Sequence, residues 1–236
     1  MVDLDLPRAH RWPLTLRFGP LALRPIERRD AAELRQLRAR NREWTGPWDT
    51  TVPPQGVPRS LTFGRMVAEQ RARGRAATQL SWLLTLDPGA AGGGEARRRR
   101  RAPIVGQLTV ADIVYGAGRF ASIGYWIDQG HAGRGLVPLA AAIATDYCFE
   151  VLELHRLEIC IRPENQRSLR VVDKLGYRRE GLRPRYLHID GDWRDHLVFV
   201  MTSEECPAGG LVRALVEQRV QDAATNPAKA AGDAVD

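Results

Sequence analysis

Hydrophobic and polar positions change period several times along the chain, and each change marks an element. Residues 14–18 and 21–24 read as short strands around Gly19-Pro20, and the runs at 79–86 and 104–114 as longer ones. Gly106, inside the last of these, marks a bulge or a close backbone approach. Between them a helix is predicted over 31–41, with Leu34 and Leu37 on one face and Asp30 as its N-cap. Residues 44–58 are proline-rich and irregular, and Ser60 is the predicted cap of a second helix reaching about residue 73. The pattern then gives strand 121–127, helix 136–151, strand 156–161, helix 167–175, and final strands near 177–190 and 193–201.

This order predicts one α/β domain over residues 1–203, with a mixed sheet and helices on both faces. Strands 121–127 and 156–161 flank a right-handed crossover and are expected to run parallel. Residues 204–236 form a tail, with a short helix at about 211–220 and then an end whose Ala, Gly, Asp and Pro content predicts disorder. No internal repeat is visible.

The junction between strand 121–127 and helix 136–151 carries chemistry. Gly130, Gly133 and Gly135 keep side chains out of the turn, so the unpaired N–H groups of the helix's first turn converge on one point at the positive end of its dipole. An anion fits there. No Gly-Lys-Ser/Thr follows, which excludes a nucleotide triphosphate loop, and no acidic strand end about 20 residues on suggests a dinucleotide ribose.

Instead, Gly130-His131-Ala132-Gly133-Arg134-Gly135 resembles the pyrophosphate-binding segment of the GCN5-related N-acetyltransferases, Gln/Arg-x-x-Gly-x-Gly/Ala, with Gly130 departing at the first position. The segments HRLEI at 155–159, PENQRS at 163–168 and KLGYRREG at 174–181 resemble the second half of that family's core. YLHIDGDWRDH at 186–196 is similar to the RimJ/RimL branch, the ribosomal-protein-alanine N-acetyltransferases, on its RimJ side. The resemblance covers residues 14–203. It implies a mostly antiparallel seven-stranded sheet whose parallel pair splays apart to hold acetyl-CoA.

On that resemblance, Gly133, Arg134, Gly135, Leu136 and Val137 hold the pyrophosphate, and Trp126, Ile127, Asn165, Arg167 and Ser168 complete the coenzyme site. A backbone N–H near Ile127 polarises the thioester carbonyl. The helix tyrosine that many family members use as the acid falls on Val172 here, so Ser168 becomes the candidate, although its hydroxyl also suits a first-turn cap. A carboxylate typical of the RimL side falls on Arg185. Glu43 and Asp49 remain the acidic candidates in the loop expected over the acceptor cleft; each also reads as a surface carboxylate or a docking point for the substrate's ammonium, and for Glu43 that reading comes before catalysis. Trp48, Asp49, Tyr186 and Asp195 are the expected acceptor contacts, and Trp44 an anchor for its loop. His188 and His196 have no partners at metal spacing, so no metal is expected.

The implied activity is acetyl transfer to the N-terminal α-amine, Ala or Ser, of a protein such as a ribosomal protein. Direct attack in a ternary complex is expected, since no Cys–His or Ser–His pair is apparent. Two rivals are a small-amine acetyltransferase acting on an antibiotic or polyamine, and a noncatalytic CoA-binding factor on the ribosome or its RNA. Monomer and homodimer are both open.

Charge and cysteines change this picture little. The net charge is +7, but Arg97, Arg98, Arg99, Arg100 and Arg101 account for five of it. They lie in a Gly/Ala/Arg connection over 87–103, predicted to be mobile, which reads as a solvated insertion or as an arm contacting ribosomal RNA. Cys148 and Cys160 lie in apolar patterns, as small buried hydrophobes do. The start MVDLDLPRAHRW is no secretory signal, and no run approaches the ~18 apolar residues of a membrane span, so a cytoplasmic protein is expected.

Overall fold

Alternation along single strands divides the core into two layers. The computed structural model of the chain describes residues 10–54, 56, 61–87 and 101–225. Its strands are β1 (Leu16–Phe18), β2 (Leu21–Pro25), β3 (Leu80–Leu86), β4 (Ile104–Val114), β5 (Phe120–Ile127), β6 (Arg156–Ile161), β7 (Arg178–Ile189) and β8 (Asp192–Thr202). They form one sheet in the order β1-β2-β3-β4-β5-β6-β8-β7, antiparallel throughout except for β5 beside β6. The pattern's eight strands all join, one more than the seven-stranded sheet the resemblance implies, because the short edge strand β1 pairs with β2, Leu16 opposite Leu23.

The helices are α1 (Ala31–Arg40), α2 (Arg42–Thr45), α3 (Phe63–Arg75), α4 (Leu136–Glu150), α5 (Gln166–Leu175) and α6 (Gly210–Thr225). On β3, Trp82 and Leu84 join the main core with α4, whereas Leu83 joins Leu34, Leu37 and Val67 of α1 and α3. Neighbouring residues on a strand face opposite ways, so the helices cover both faces of the sheet. Gly106 serves both expected purposes. The β3–β4 register shifts beside it, and a Cβ there would strike the carbonyl oxygen of Trp126 on β5.

Helix α3 starts later than expected, with the Thr62 hydroxyl accepting from the Arg65 N–H at 3.3 Å; Ser60 lies outside the described residues. Asp30 precedes α1 without capping it through its side chain. It is fully buried and accepts from Arg24 at 2.8 and 2.9 Å and from the Glu27 N–H at 2.7 Å, and Arg101 pairs with it as well. Arg101 is therefore an internal tie and no free arm; Arg97 to Arg100 fall outside the described residues. Cys148 is buried as expected, but Cys160 is only partly so, with Arg183 Nη1 3.4 Å from its sulfur.

The tail helix is longer than expected and belongs to the core. Leu211 and Leu215 of α6 are buried in the main cluster against α4, which explains why α4 is apolar nearly all round. The end of the tail, 226–236, is outside the described residues. The first turn of α6 is capped from another helix: the Asp146 carboxylate of α4 accepts the Leu211 and Val212 N–H groups at 2.7 and 3.0 Å. Among the described residues no helix is long and apolar enough to cross a membrane. Asp146→Ala should lower unfolding free energy by about 1 kcal/mol in urea titrations, with faster amide exchange at the start of α6. Unchanged values on both counts would show that the cap contributes nothing.

Candidate active site

Strands β5 and β6 pair only at Phe120–Arg156, Ala121–Leu157 and Ser122–Glu158, and then part. Each remains held on its other side, β5 by β4 as far as Ile127 opposite Gly106, and β6 by β8 as far as Ile161 opposite Leu197. The parting therefore leaves backbone groups of β5 facing an open gap. The Asp128 N–H turns toward β4, bonding Val105 O at 2.7 Å, so by alternation the Ile127 N–H and C=O face the gap.

The gap opens into a cavity of about 330 Å³. Tyr125 and Trp126 both line it, although Tyr125 packs with the main core and Trp126 with the α1–α3 cluster. The cavity thus reaches both faces of the sheet. At one end lies the cradle. Gly133 and Gly135 have φ of 83° and 69°, left-handed values that favour glycine, and they deliver the chain into α4 with Gly135 as N-cap. Pro138, in the first turn, has no N–H to lose there. Gly133, Gly135, Leu136 and Val137 line the cavity, and their N–H groups suit a diphosphate. Arg134 is exposed and does not line it.

The other end is covered by α2 and the 3-10 turn Gly46–Trp48. Trp44 and Trp48 line the cavity and are both tied down. The Trp44 indole donates to Ile127 O at 3.0 Å and carries the Arg167 guanidinium at 4.3 Å, while Arg162 lies 5.4 Å from the Trp48 ring and donates to Pro47 O at 2.7 Å. Trp44 is thus wall as well as anchor. Asp49 lines the cavity too, paired with Arg38 at 2.8 Å.

Helix α5 faces the gap with Asn165, Arg167, Ser168, Arg170 and Lys174. Asn165 caps the helix, accepting the Ser168 N–H at 3.1 Å, which leaves the Ser168 hydroxyl free of that duty. That hydroxyl lies 2.8 Å from the Tyr125 hydroxyl. Burial pushes the Tyr125 phenol well up, only partly opposed by the Ser168 hydrogen bond, so the pair stays protonated at neutral pH.

Buried Asp128 joins cover, strand and cradle. It accepts from Arg40 at 3.0 and 3.2 Å, from Asn41 at 2.7 Å and from His131 Nδ1 at 2.8 Å, and Asn41 Oδ1 in turn accepts the Gln129 N–H at 2.8 Å. Burial opposes ionisation of Asp128, but the hydrogen bonds from Arg40, Asn41 and His131 outweigh it and hold the carboxyl below its ordinary range.

Besides Arg134, three expected site residues do not line the cavity. Glu43 is exposed on α2 and does not line the cavity, because its neighbours Trp44 and Thr45 take the inward positions. Tyr186 stacks edge-on with His196 under Arg183, and Asp195 accepts the Arg185 N–H at 2.7 Å across an irregular stretch of β7–β8; neither lines the cavity. Tyr125, His131, Arg170 and Lys174 do line it without having been singled out. For Tyr125 a signal existed, since it is in phase with the buried Ala121 and Ile123. Among the described residues no group of acids, histidines and cysteines could hold a metal.

Residues 21–178 match the family described as Acetyltransferase (GNAT) domain, and the chain belongs to that family of acetyltransferases. Mycobacterium smegmatis RimJ, solved in complex with CoA-disulfide, is 34% identical with a TM-score of 0.72 over 88% of this chain and 95% of that one. The [ribosomal protein uS5]-alanine N-acetyltransferase of Escherichia coli is 28% identical over 194 residues, 80% of this chain and 91% of that protein. A shorter match, to the spermidine N(1)-acetyltransferase of Escherichia coli, is 35% identical over 69 residues, 29% of this chain and 37% of that protein. The parted strands, left-handed glycines and open α4 N-terminus fit acetyl-CoA, the coenzyme of this family.

Asp128→Asn should cost about 2 kcal/mol of stability at neutral pH, the range for hydrogen bonds to a charged group. The folded-state pKa is depressed below the ordinary 3.8, so this contribution is complete above that value and is lost as pH falls through the depressed one. Urea titrations should show a constant difference between wild type and variant from about pH 7 to pH 5 that shrinks below about pH 4. A difference independent of pH would contradict the assignment.

Proposed function

We propose that the protein acetylates the N-terminal α-amine of a protein, with an Ala- or Ser-starting ribosomal protein as the acceptor. The observation that carries this reading is the charge of the cavity. Of Asp49, Asp190, Asp192 and Asp195, the carboxylates on the cover and the last hairpin that would suit a polycation, only Asp49 lines it, and Asp49 is already paired with Arg38. Asp195 serves its own hairpin, and Asp192 accepts the Trp193 N–H and pairs loosely with Arg194 at 3.6 Å. Arg167, Arg170 and Lys174 add positive charge to the lining. A polyamine would meet net repulsion, whereas one α-amine between the Trp44 and Trp48 walls needs little counter-charge. The relation to the uS5-alanine enzyme supports the same acceptor class. The short stretch shared with the spermidine enzyme supports the small-amine alternative.

Acetyl-CoA, when bound, supplies a thioester-activated acetyl group and leaves as a thiol that must gain a proton. The chain's residues fit three tasks. The Ile127 N–H, facing the gap at the end of β5, suits a developing oxyanion, and the Trp44 indole on the Ile127 carbonyl fixes that strand end. The Ser168 hydroxyl, backed by Tyr125, is the proton source for the thiolate. A peptide α-amine has a pKa near ~8, so a neutral fraction exists at neutral pH without a strong base.

Ser168→Ala should lower kcat by about 100-fold while leaving the Kd for CoA within a few-fold of wild type. Wild-type kcat in the variant would remove Ser168 from the proton path. A thiol-release assay across peptides starting with Ala, Ser, Thr or Met, with spermidine and an aminoglycoside alongside, should show turnover on the Ala or Ser peptides. Turnover on spermidine alone would replace the proposal with the small-amine reading.

A further inference from the structure

Helix α6 lies beyond the residues matched to the acetyltransferase family, yet it reaches the coenzyme cradle. Leu211 and Leu215 bury one of its faces against α4, and the next position on that face, four residues further, is Arg219. The Arg219 guanidinium donates to Gly135 O at 3.1 Å, the carbonyl of the α4 N-cap. It lies so close to Gly135 that a Cβ there would collide with it. One of its five N–H donors is used in this way, and among the described residues no carboxylate pairs with it. A planar cation is thus fixed at the turn whose backbone N–H groups face an anion, without an anion of the protein's own.

We infer that Arg219 is a coenzyme-binding residue that contacts the pyrophosphate of coenzyme A, so that α6 forms a second, side-chain half of the cradle. This rests on coenzyme A occupying the cradle and is independent of the acceptor. The chemistry suits the position. Guanidinium groups bind phosphate through parallel, charge-assisted N–H donors, and the contact with Gly135 puts this one beside the turn. The anchor for this arm is Asp146, which caps α6 eight residues before Arg219.

The test is calorimetric binding of CoA, dephospho-CoA and pantetheine to the full chain and to Arg219→Gln, with thermal melting to confirm that the variant folds. The expected result is about tenfold weaker binding of both CoA and dephospho-CoA, with pantetheine, which lacks the pyrophosphate, unaffected. Wild-type affinity of the variant for CoA overturns the proposal. A loss confined to CoA would assign Arg219 to the 3′-phosphate and overturn it equally, and an equal loss for pantetheine would reduce Arg219 to a structural part of the turn. Failure of the wild-type chain to bind CoA at all would instead remove the coenzyme reading on which the proposal stands.

Discussion

The site depends on a hydrogen-bond ladder that stops early. Parallel strands normally continue to pair for their common length, because an unpaired buried N–H or C=O is costly. Here β5 and β6 pair for three residues and then separate, each secured by its outer neighbour. The gap is stable because its exposed groups find other partners: the Trp44 indole takes the carbonyl of Ile127, and the side chains of Tyr125 and Ser168 meet across the opening. A ligand with amide groups along an extended arm completes what the ladder leaves unmade, which is how an interrupted sheet becomes a binding site.

Around that gap the polar network is short and shared. Asp128 follows β5 directly, its own N–H restoring the bond to β4, while its carboxylate gathers the end of α1, Asn41 and the cradle histidine. One buried carboxylate therefore sets the position of the cover, the strand end and the first part of the phosphate turn together. A disturbance in any one of the three is felt in the other two, because all draw on the same two oxygens.

Most of the architecture could be read in the chain, since long periodic runs such as 104–114 and 136–151 impose their faces whatever surrounds them. The cradle was legible because its glycines and the helix that follows are adjacent in sequence. What escaped depends on contacts between distant positions. Asp128 and Asn41 are 87 residues apart, and neither has a local pattern that announces the pair. Trp44 could be given an anchoring role, but its partner was a backbone carbonyl that no side-chain pattern marks. Tyr186 and Asp195 stand outside the cavity lining because β7 and β8 lose register between Arg183 and Leu187, so alternation no longer reports which way a residue points. Arg219 sits at an apolar position of an amphipathic stripe, a substitution visible in the sequence but without meaning until the neighbour of α6 is known.

The ties at the far end of β3 and β4 have a consequence for how this chain can vary. The Leu86 N–H meets Pro103 O at 3.3 Å, the Asp87 N–H meets Pro20 O at 2.8 Å, and Arg101 is moored to buried Asp30. Both ends of the intervening connection are thus clamped to the body, and closing a longer connection between fixed posts adds only about 0.6 kcal/mol for each doubling of its length. Growth or shrinkage of the connection leaves these posts in place. By this entropy alone, a change in the length of the connection costs the clamped body little stability.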